Sequence, residues 1–208
     1  AGLDTGTPAA EEEPLDDRPA RVLVVDDIED NRQLLKRRLE KQGHTVICAE
    51  DGKQALSMVE AEPPDLVLLD IMMPEMDGFA VLARLKQSRA TRDIPVIVIS
   101  ALDDIASAVR CIEQGAEDFL SKPFDPVLLK ARVESSITKK RARDRERAFI
   151  EAAESVAAAA ASVEAGTYRA GSLGAVAKRS DAVGRLARVF GAMATNVRAR
   201  ELQLHERV

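Results

Sequence analysis

Five short apolar runs, separated by helical stretches, dominate the sequence from Arg21 to about residue 138. The stretches between the runs place apolar residues three and four positions apart, which is the period of an amphipathic helix. Continuous apolar strands are typical of a parallel sheet that is covered on both faces by crossover helices. The sequence therefore predicts an α/β fold with a doubly wound, five-stranded parallel sheet. The predicted strands are residues 22–25, 46–48, 66–69, 94–99 and 119–120, and the predicted helices are residues 31–41, 53–60, 78–86 and 106–114.

Polar residues stand at the ends of these strands, where ligands bind in sheets of this kind. Asp26 and Asp27 end the first strand, Asp70 the third and Ser100 the fourth, and Lys122 follows the fifth. One Asp after a strand is usually a turn former or a helix cap. Three converging carboxylates, however, repel one another unless a hard cation such as Mg²⁺ binds their oxygens. The conjunction of five such residues favours a functional site.

Carboxylates that hold Mg²⁺ beside a lysine and a hydroxyl suit phosphoryl transfer, in which a protein positions the group and neutralises its charge. Asp70 is the predicted nucleophile, because its carboxylate can attack a phosphoryl donor. Asp26 and Asp27 are predicted to hold the metal directly or through water. Lys122 is predicted to pair with one phosphoryl oxygen, and Ser100 to donate a hydrogen bond to another.

Residues 21 to about 138 resemble the receiver domains of two-component response regulators. The motifs that carry the resemblance are Val24-Val25-Asp26-Asp27, Asp70-Ile71-Met72-Met73-Pro74-Glu75-Met76-Asp77-Gly78, Ser100-Ala101 and Lys122-Pro123-Phe124. The resemblance implies the flavodoxin-like receiver fold and phosphorylation by a histidine kinase or a phosphotransfer protein. It makes Asp70 the phosphoacceptor, with Mg²⁺ held by Asp26, Asp27, Asp70 and the backbone carbonyl of Met72.

The same resemblance assigns a switch pair, Ser100 and Phe119, and implies a cis peptide bond between Lys122 and Pro123. The family often has Tyr where this chain has Phe119, so a hydrogen bond from a ring hydroxyl is impossible here. Met72 and Leu102 follow Asp70 and Ser100 by two positions, and neither side chain can orient an attacking water. We therefore expect a long-lived phosphoryl group.

One long helix is predicted after Pro126, because the next Gly or Pro is Gly166. Its middle carries a basic run at residues 139–147, which a nucleic acid or an anionic membrane could in principle bind. Asp144 and Glu146 interrupt that run, and aromatic residues make up only 3% of the chain, so a solvated bridging helix is the preferred interpretation. No direct nucleic-acid binding is expected.

The C-terminal segment predicts a helix, a connector at residues 166–182 and a second helix, which together have too little core for one chain. Pairing of two chains into a four-helix bundle would complete the core. Residues 180–194 (SDAVGRLARVFGAMA) make roughly residues 150–204 similar to the HAMP signalling module, although that family often has Glu at Ala182 and Asn at Gly191. A plain antiparallel hairpin or a generic coiled coil remains the alternative. The predicted apolar stripes are Ala153, Val156, Ala160 and Val163 on the first helix, and Val183, Leu186, Phe190, Met193, Val197 and Leu204 on the second.

The chain thus divides into a disordered acidic leader (1–20), a receiver domain (21–138), a helical linker (139–151) and a HAMP-like dimerisation module (152–208). Counting Asp and Glu against Lys and Arg gives charges of −5 for residues 1–20, −6 for 21–138 and +6 for 139–208. No apolar stretch of membrane-spanning length occurs, and two distant cysteines indicate a reducing, cytoplasmic compartment.

The predicted function is that of a Mg²⁺-dependent response regulator, not an enzyme, which forms a homodimer through its C-terminal helices and signals through this HAMP-like bundle to a downstream output. Because the sequence ends in a helical pattern, a further output segment is expected beyond Val208. Two alternatives stay open. The chain could be the regulatory part of a larger effector, such as a nucleotide cyclase or a phosphatase, or a stand-alone phosphorylation-dependent binding module.

Overall fold

The structure, a computed structural model, describes residues 18–101 and 105–205, and the side chains of these residues up to position 197. It divides into two compact units at the boundary between Arg141 and Ala142, and each unit is considered by itself. Most of the predicted leader lies outside the described residues. None of the helices in the described part of the chain is long and apolar enough to cross a membrane.

The first unit contains a five-stranded parallel sheet with the strand order β2-β1-β3-β4-β5, as the sequence predicts. This is the flavodoxin-like order, in which the direction of winding reverses between β1 and β3. The strands are β1 (Arg21–Val25), β2 (Thr45–Ala49), β3 (Leu66–Leu69), β4 (Val96–Ser100) and β5 (Asp118–Ser121).

Helices cover both faces of this sheet. Two of them start at an aspartate that caps the helix: Asp51 accepts a hydrogen bond from the backbone N–H of Gln54, and Asp77 accepts one from Ala80. The helices are α1 (Glu29–Lys41), α2 (Gly52–Ala61), α3 (Gly78–Gln87), α4 (Ile105–Glu113) and α5 (Pro126–Glu164), of which the last extends into the second unit.

The two faces of the sheet form separate apolar cores, because successive strand residues point to opposite sides. Leu23 and Val25 of β1 belong to the core that α2, α3 and α4 cover, whereas Val22 and Val24 belong to the core of α1 and α5. Both alternate sets of β1 side chains are therefore buried, as a parallel sheet requires.

The second unit consists of the end of α5, a connector with one short helix, α6 (Gly174–Ala177), and α7 (Ala182–His205). The short helix α6 lies within the segment that the sequence predicts as a connector. Near the start of α7, the Arg179 guanidinium donates a hydrogen bond to the carbonyl oxygen of Ala148, which lies in the middle part of α5. Farther along α7, the Phe190 ring lies 6.2 Å from that of Tyr168, which lies in the connector shortly after α5 ends at Glu164. The two helices therefore run in the same direction, with the connector returning between them, and an antiparallel hairpin is ruled out.

The predicted apolar stripe of α7 is divided between two faces. Val183 and Ala187 are buried within the unit and Phe190 is half-buried, together with Ala152, Val156 and Ala159 of α5. Leu186, Val189, Met193 and Val197 are instead exposed, by 42% to 69%. The predicted seam combined residues of both faces, because the sequence does not show which side of α7 the connector covers. Leu204 lies outside the side chains that the structure describes.

Candidate phosphoacceptor site

The candidate site lies at the carboxyl ends of β1 and β3, where the winding of the sheet reverses. Backbone pairing continues just past the strands, because the Asp70 N–H donates to the carbonyl oxygen of Val25 at 2.9 Å. The loop after β3 returns closely over the strand end at Gly78, where an added Cβ would lie 2.2 Å from the Asp70 carbonyl oxygen. A glycine is therefore required there to keep the loop beside the site.

Lys122 joins the two buried carboxylates of the site. Its Nζ lies 2.5 Å from Asp70 Oδ2 and 2.7 Å from Asp26 Oδ2. Asp26 is 1% exposed and Asp70 is 5% exposed, so water screens these contacts little. The loop that carries Lys122 begins with a cis peptide bond between Lys122 and Pro123, as the resemblance implied.

The electrostatics of the site are set by this burial. Burial raises the pKa of Asp70 above its usual value, against the opposing influence of hydrogen bonds from Lys122 and from the Met72 backbone. Burial alone would lower the pKa of Lys122, but its hydrogen bonds to Asp26 and Asp70 outweigh this effect and raise it. At neutral pH the site therefore holds a charged lysine between carboxylates, one of which ionises less readily than usual.

We predict that Asp70→Asn stabilises the metal-free protein. The folded-state pKa of Asp70 is raised above the unfolded-state value, so ionised Asp70 costs stability at neutral pH, and this cost disappears as the pH falls below the ordinary pKa. Lys122 keeps its contact with Asp26 in this variant, so the lysine is not left without a partner. The expected gain in unfolding free energy is about 1 kcal/mol at neutral pH. Thermal unfolding followed by circular dichroism measures it, with Asp30→Asn, an exposed change on α1, as the control. A variant that is less stable than the native chain at neutral pH would contradict this prediction.

Three carboxylates converge at this edge of the sheet, as the sequence predicts. Asp26, Asp27 and Asp70 each offer an oxygen ligand, and these atoms lie within 4.8 Å of one another. A set of hard oxygen donors at this spacing fits Mg²⁺. The Met72 backbone N–H donates to Asp70 Oδ1 at 3.0 Å, which places this residue beside the acceptor carboxylate. Its carbonyl as a metal ligand stays a prediction.

The predicted switch residues lie on neighbouring strands. Ser100 is fully buried at the end of β4, and its carbonyl oxygen accepts a hydrogen bond from the Lys122 N–H at 2.7 Å. Phe119 pairs with Val98 in the sheet and its side chain is half-buried against the core. The Met72 side chain is 57% exposed, and Leu102 lies outside the described residues.

Two site residues on α1 were missed by the sequence analysis. The Asn31 side-chain nitrogen lies 3.0 and 3.1 Å from the two carboxylate oxygens of Asp26. Arg32 Nη1 donates to the backbone carbonyl oxygens of Asp26 and Asp27 at 2.7 and 2.9 Å. The sequence did contain a signal for these two residues: both lie at the start of the helix that directly follows the acidic end of β1.

Comparison with known proteins agrees with this geometry. The family described as the response regulator receiver domain matches residues 22–134, more than half of the chain. The chain therefore belongs to the response regulator receiver family of two-component signalling. Receiver domains bind Mg²⁺ at an acidic pocket, and Asp26, Asp27 and Asp70 form an acidic cluster in this chain.

Individual relatives match the same region. The response regulator PleD of Caulobacter vibrioides is 51% identical over 116 residues, which are 56% of this chain and 26% of PleD. The alkaline phosphatase synthesis transcriptional regulatory protein PhoP of Bacillus subtilis is 41% identical over 115 residues, 55% of this chain and 47% of PhoP. The receiver domain of a Francisella response regulator superposes with a TM-score of 0.55 at 33% identity, covering 58% of this chain and 98% of that domain. The chain thus spans less than half of either full-length relative.

Proposed function

We propose that this chain accepts a phosphoryl group on Asp70 from a histidine kinase or a phosphotransfer protein. The observation that carries the proposal is the placement of Lys122 Nζ in hydrogen-bond contact with both Asp70 and Asp26, within the three-carboxylate cluster. Attack by Asp70 forms a bond between its carboxylate oxygen and phosphorus, and the bond to the donor's leaving group breaks.

The residues of the site divide this work among them. Asp26, Asp27, Asp70 and the Met72 carbonyl would hold Mg²⁺, which when bound neutralises negative charge on the phosphoryl oxygens. Lys122 stands beside the Asp70 oxygen that it already contacts, where it pairs with a phosphoryl oxygen. Ser100 follows on the adjacent strand and donates a hydrogen bond to another, and Phe119 repacks with it.

The face of α1 beside the site supplies a surface for the phosphodonor. A cavity of about 440 Å³ lies between α1 and the segment after β5, lined by Asn31, Leu34, Leu35, Arg38, Lys122, Pro123 and Phe124. Leu34 in this cavity is 46% exposed, and Ile28, which directly precedes α1, is 53% exposed. Exposed apolar side chains next to the acceptor favour a protein donor, because a histidine side chain must be brought against Asp70 by contacts around it.

The test of phosphorylation is incubation of the chain with Mg²⁺ and acetyl phosphate, followed by intact-mass measurement. The wild-type chain should gain one phosphoryl group, the Asp70→Asn chain should gain none, and omission of Mg²⁺ should suppress the gain. A purified kinase core can replace acetyl phosphate as the donor. Equal labelling of wild type and Asp70→Asn would place the phosphoryl group on another residue and refute the proposal.

We further propose that the C-terminal unit is a HAMP-like module that pairs two chains. The parallel course of α5 and α7, with a connector between them, supports this assignment over a hairpin. The exposed stripe of Leu186, Val189, Met193 and Val197 leaves an apolar face that a second copy can cover. Phe149 and Ile150 of α5 expose a further 46% and 50% in the same unit.

Two alternatives remain open for the output of the signal: the chain is the regulatory segment of a larger effector enzyme, or it is a stand-alone binding module. A regulatory segment of a larger effector enzyme requires catalytic residues elsewhere in a longer protein, whereas a binding module requires a partner that recognises the phosphorylated state. Pull-down with the 1–208 chain, with and without a phosphoryl mimic, separates them. Phosphorylation-dependent capture of a defined partner supports the binding module, and its absence favours the effector.

A further inference from the structure

Arg179, which lies in the connector just before α7, contacts α7 and α5 with different nitrogens of one guanidinium group. Its Nε and Nη2 donate to Asp181 Oδ2, with the Nε contact at 2.9 Å. Its Nη1 donates to the backbone carbonyl oxygen of Ala148, on α5, at 3.3 Å. The donors of a guanidinium group form a rigid planar fork. The position of the Asp181 carboxylate therefore also sets the direction of the Nη1 donor.

Asp181 attaches this guanidinium group to the first turn of α7. Its Oδ1 accepts a hydrogen bond from the Gly184 N–H at 2.9 Å and so caps the helix, while its Oδ2 accepts the bonds from Arg179. The hydrogen bonds from Arg179, and then the bond from Gly184, lower the pKa of Asp181. The carboxylate is ionised at neutral pH, and its hydrogen bonds with a cation are of the stronger, charge-assisted kind.

The backbone of Arg179 is held by α7 as well. Its carbonyl oxygen accepts a hydrogen bond from Arg188 Nη1 at 2.9 Å, and the same nitrogen donates to the Ala177 carbonyl oxygen at 2.6 Å. An added Cβ at Gly184 would lie 2.2 Å from the Arg179 carbonyl oxygen, so the connector packs directly against the start of α7. Both the backbone and the side chain of Arg179 therefore move with α7.

The contact of Arg179 with α5 is weaker than its contacts with α7. At 3.3 Å it is longer than the bond from Nε to Asp181, and its acceptor is a neutral carbonyl group rather than a carboxylate. The buried side chains that α5 contributes to the core of this unit, Ala152, Val156 and Ala159, are small and bury little apolar area. A single polar contact can therefore decide how α5 and α7 are placed against each other.

We propose that Arg179 is a positioning residue that fixes α7 against α5 and transmits a movement of α5 to the exposed stripe of α7. When α5 turns or slides, the Ala148 carbonyl oxygen moves with it, and the guanidinium group either carries the start of α7 along or loses this bond. In both cases the stripe changes its position relative to α5. This inference rests on the proposed function, because the stripe is the face that a second copy would cover.

The test is the dissociation constant for pairing of the 1–208 chain, measured by analytical ultracentrifugation with Mg²⁺, in the presence and absence of beryllofluoride as a phosphoryl mimic. The mimic should change this constant by about fivefold or more in the wild type and by about twofold or less in Arg179→Ala, because the coupling between α5 and α7 is lost. Asp181→Asn keeps a helix cap but removes the charge that holds Arg179, so its response should be intermediate. A residue that only stabilised the fold would weaken pairing equally in both conditions and leave the ratio unchanged.

Thermal unfolding of each variant, with and without the mimic, reports on folding and on binding of the mimic. Arg169→Ala removes an exposed arginine from the same connector and should respond as the wild type does. A wild-type ratio in folded Arg179→Ala would overturn the role of Arg179, and Asp181→Asn decides the question if Arg179→Ala does not fold. A wild type that does not pair would overturn the proposed dimer together with this inference. A wild type that pairs equally with and without the mimic would overturn the inference and leave the dimer in place.

Discussion

Lys122→Ala is expected to lower the unfolding free energy of the metal-free protein by about 3 kcal/mol, because it leaves buried carboxylates without their shared cation. Lys122 contacts both Asp70 and Asp26, and the side chains of these two residues are only 6% and 2% exposed. Removing one partner of a buried ion pair leaves the other charge desolvated and uncompensated. Urea unfolding at neutral pH, followed by circular dichroism, measures the loss.

The pH dependence of this effect follows from the raised pKa of Lys122. Its stabilising contribution is fully present below the ordinary lysine pKa of 10.5 and is lost as the pH rises through the higher folded-state value. The difference between the wild type and Lys122→Ala should therefore be constant from neutral pH to about pH 9 and shrink only in strong alkali.

Two further measurements, one with Mg²⁺ and one on a surface variant, show whether the loss of stability in Lys122→Ala comes from the buried carboxylates. Mg²⁺ should restore part of the lost stability, since its charge compensates the same carboxylates. Lys53→Ala removes a different ion pair, that of Lys53 with Glu75, whose partners are 68% and 70% exposed. That change should have little effect on stability, because water screens an exposed ion pair. Equal losses in the two variants would contradict the account of the site.

Met193→Asp is expected to weaken pairing of the C-terminal units by about 100-fold, and Leu186→Asp by a similar factor, because each would bury an unpaired charge. Both residues are 54% exposed within one chain and lie on the stripe that the proposed partner covers. Each apolar side chain also loses the area that it would bury in the dimer. Analytical ultracentrifugation over a range of concentrations measures the dissociation constant.

Thr195→Asp is the matched control for the stripe variants. Thr195 is exposed on the same helix, and two residues after Met193 correspond to a rotation of about 200°, onto the opposite side. Its replacement adds the same charge without touching the stripe, so pairing should be nearly unchanged. Loss of pairing in the control alone, or in all three variants equally, would show that another face joins the chains.

The sheet was largely predictable from the sequence, because short apolar runs that alternate with amphipathic helices are typical of a parallel sheet with helices on both faces. β3 has the predicted bounds, whereas β4 begins at Val96 rather than at Ile94. Ile94 is apolar and, at 4% exposure, as buried as the strand residues, so the sequence does not distinguish it from them. It lies before the paired segment, since Pro95 has no N–H with which to extend the ladder.

The site was predictable in its strand-end residues and not in its α1 residues. Asp26 and Asp70 follow strands, so topology alone brings them to one edge. Asn31 and Arg32 reach the acidic loop through side-chain rotation in the first turns of a helix, and many polar residues at such positions face solvent instead. The buried face of α7 could not be predicted for a similar reason. The sequence shows which residues of this helix are apolar but not which of them the connector covers.

We expect phosphorylation of Asp70 to change how two chains pair. The most direct measurement is the mass and hydrodynamic radius of the 1–208 chain in solution, with and without Mg²⁺ and beryllofluoride as the phosphoryl mimic, for wild type and Asp70→Asn. We expect the mimic to change the mass or the radius of the wild type and to leave Asp70→Asn unchanged. Identical mass and radius of the wild type in both conditions would contradict it.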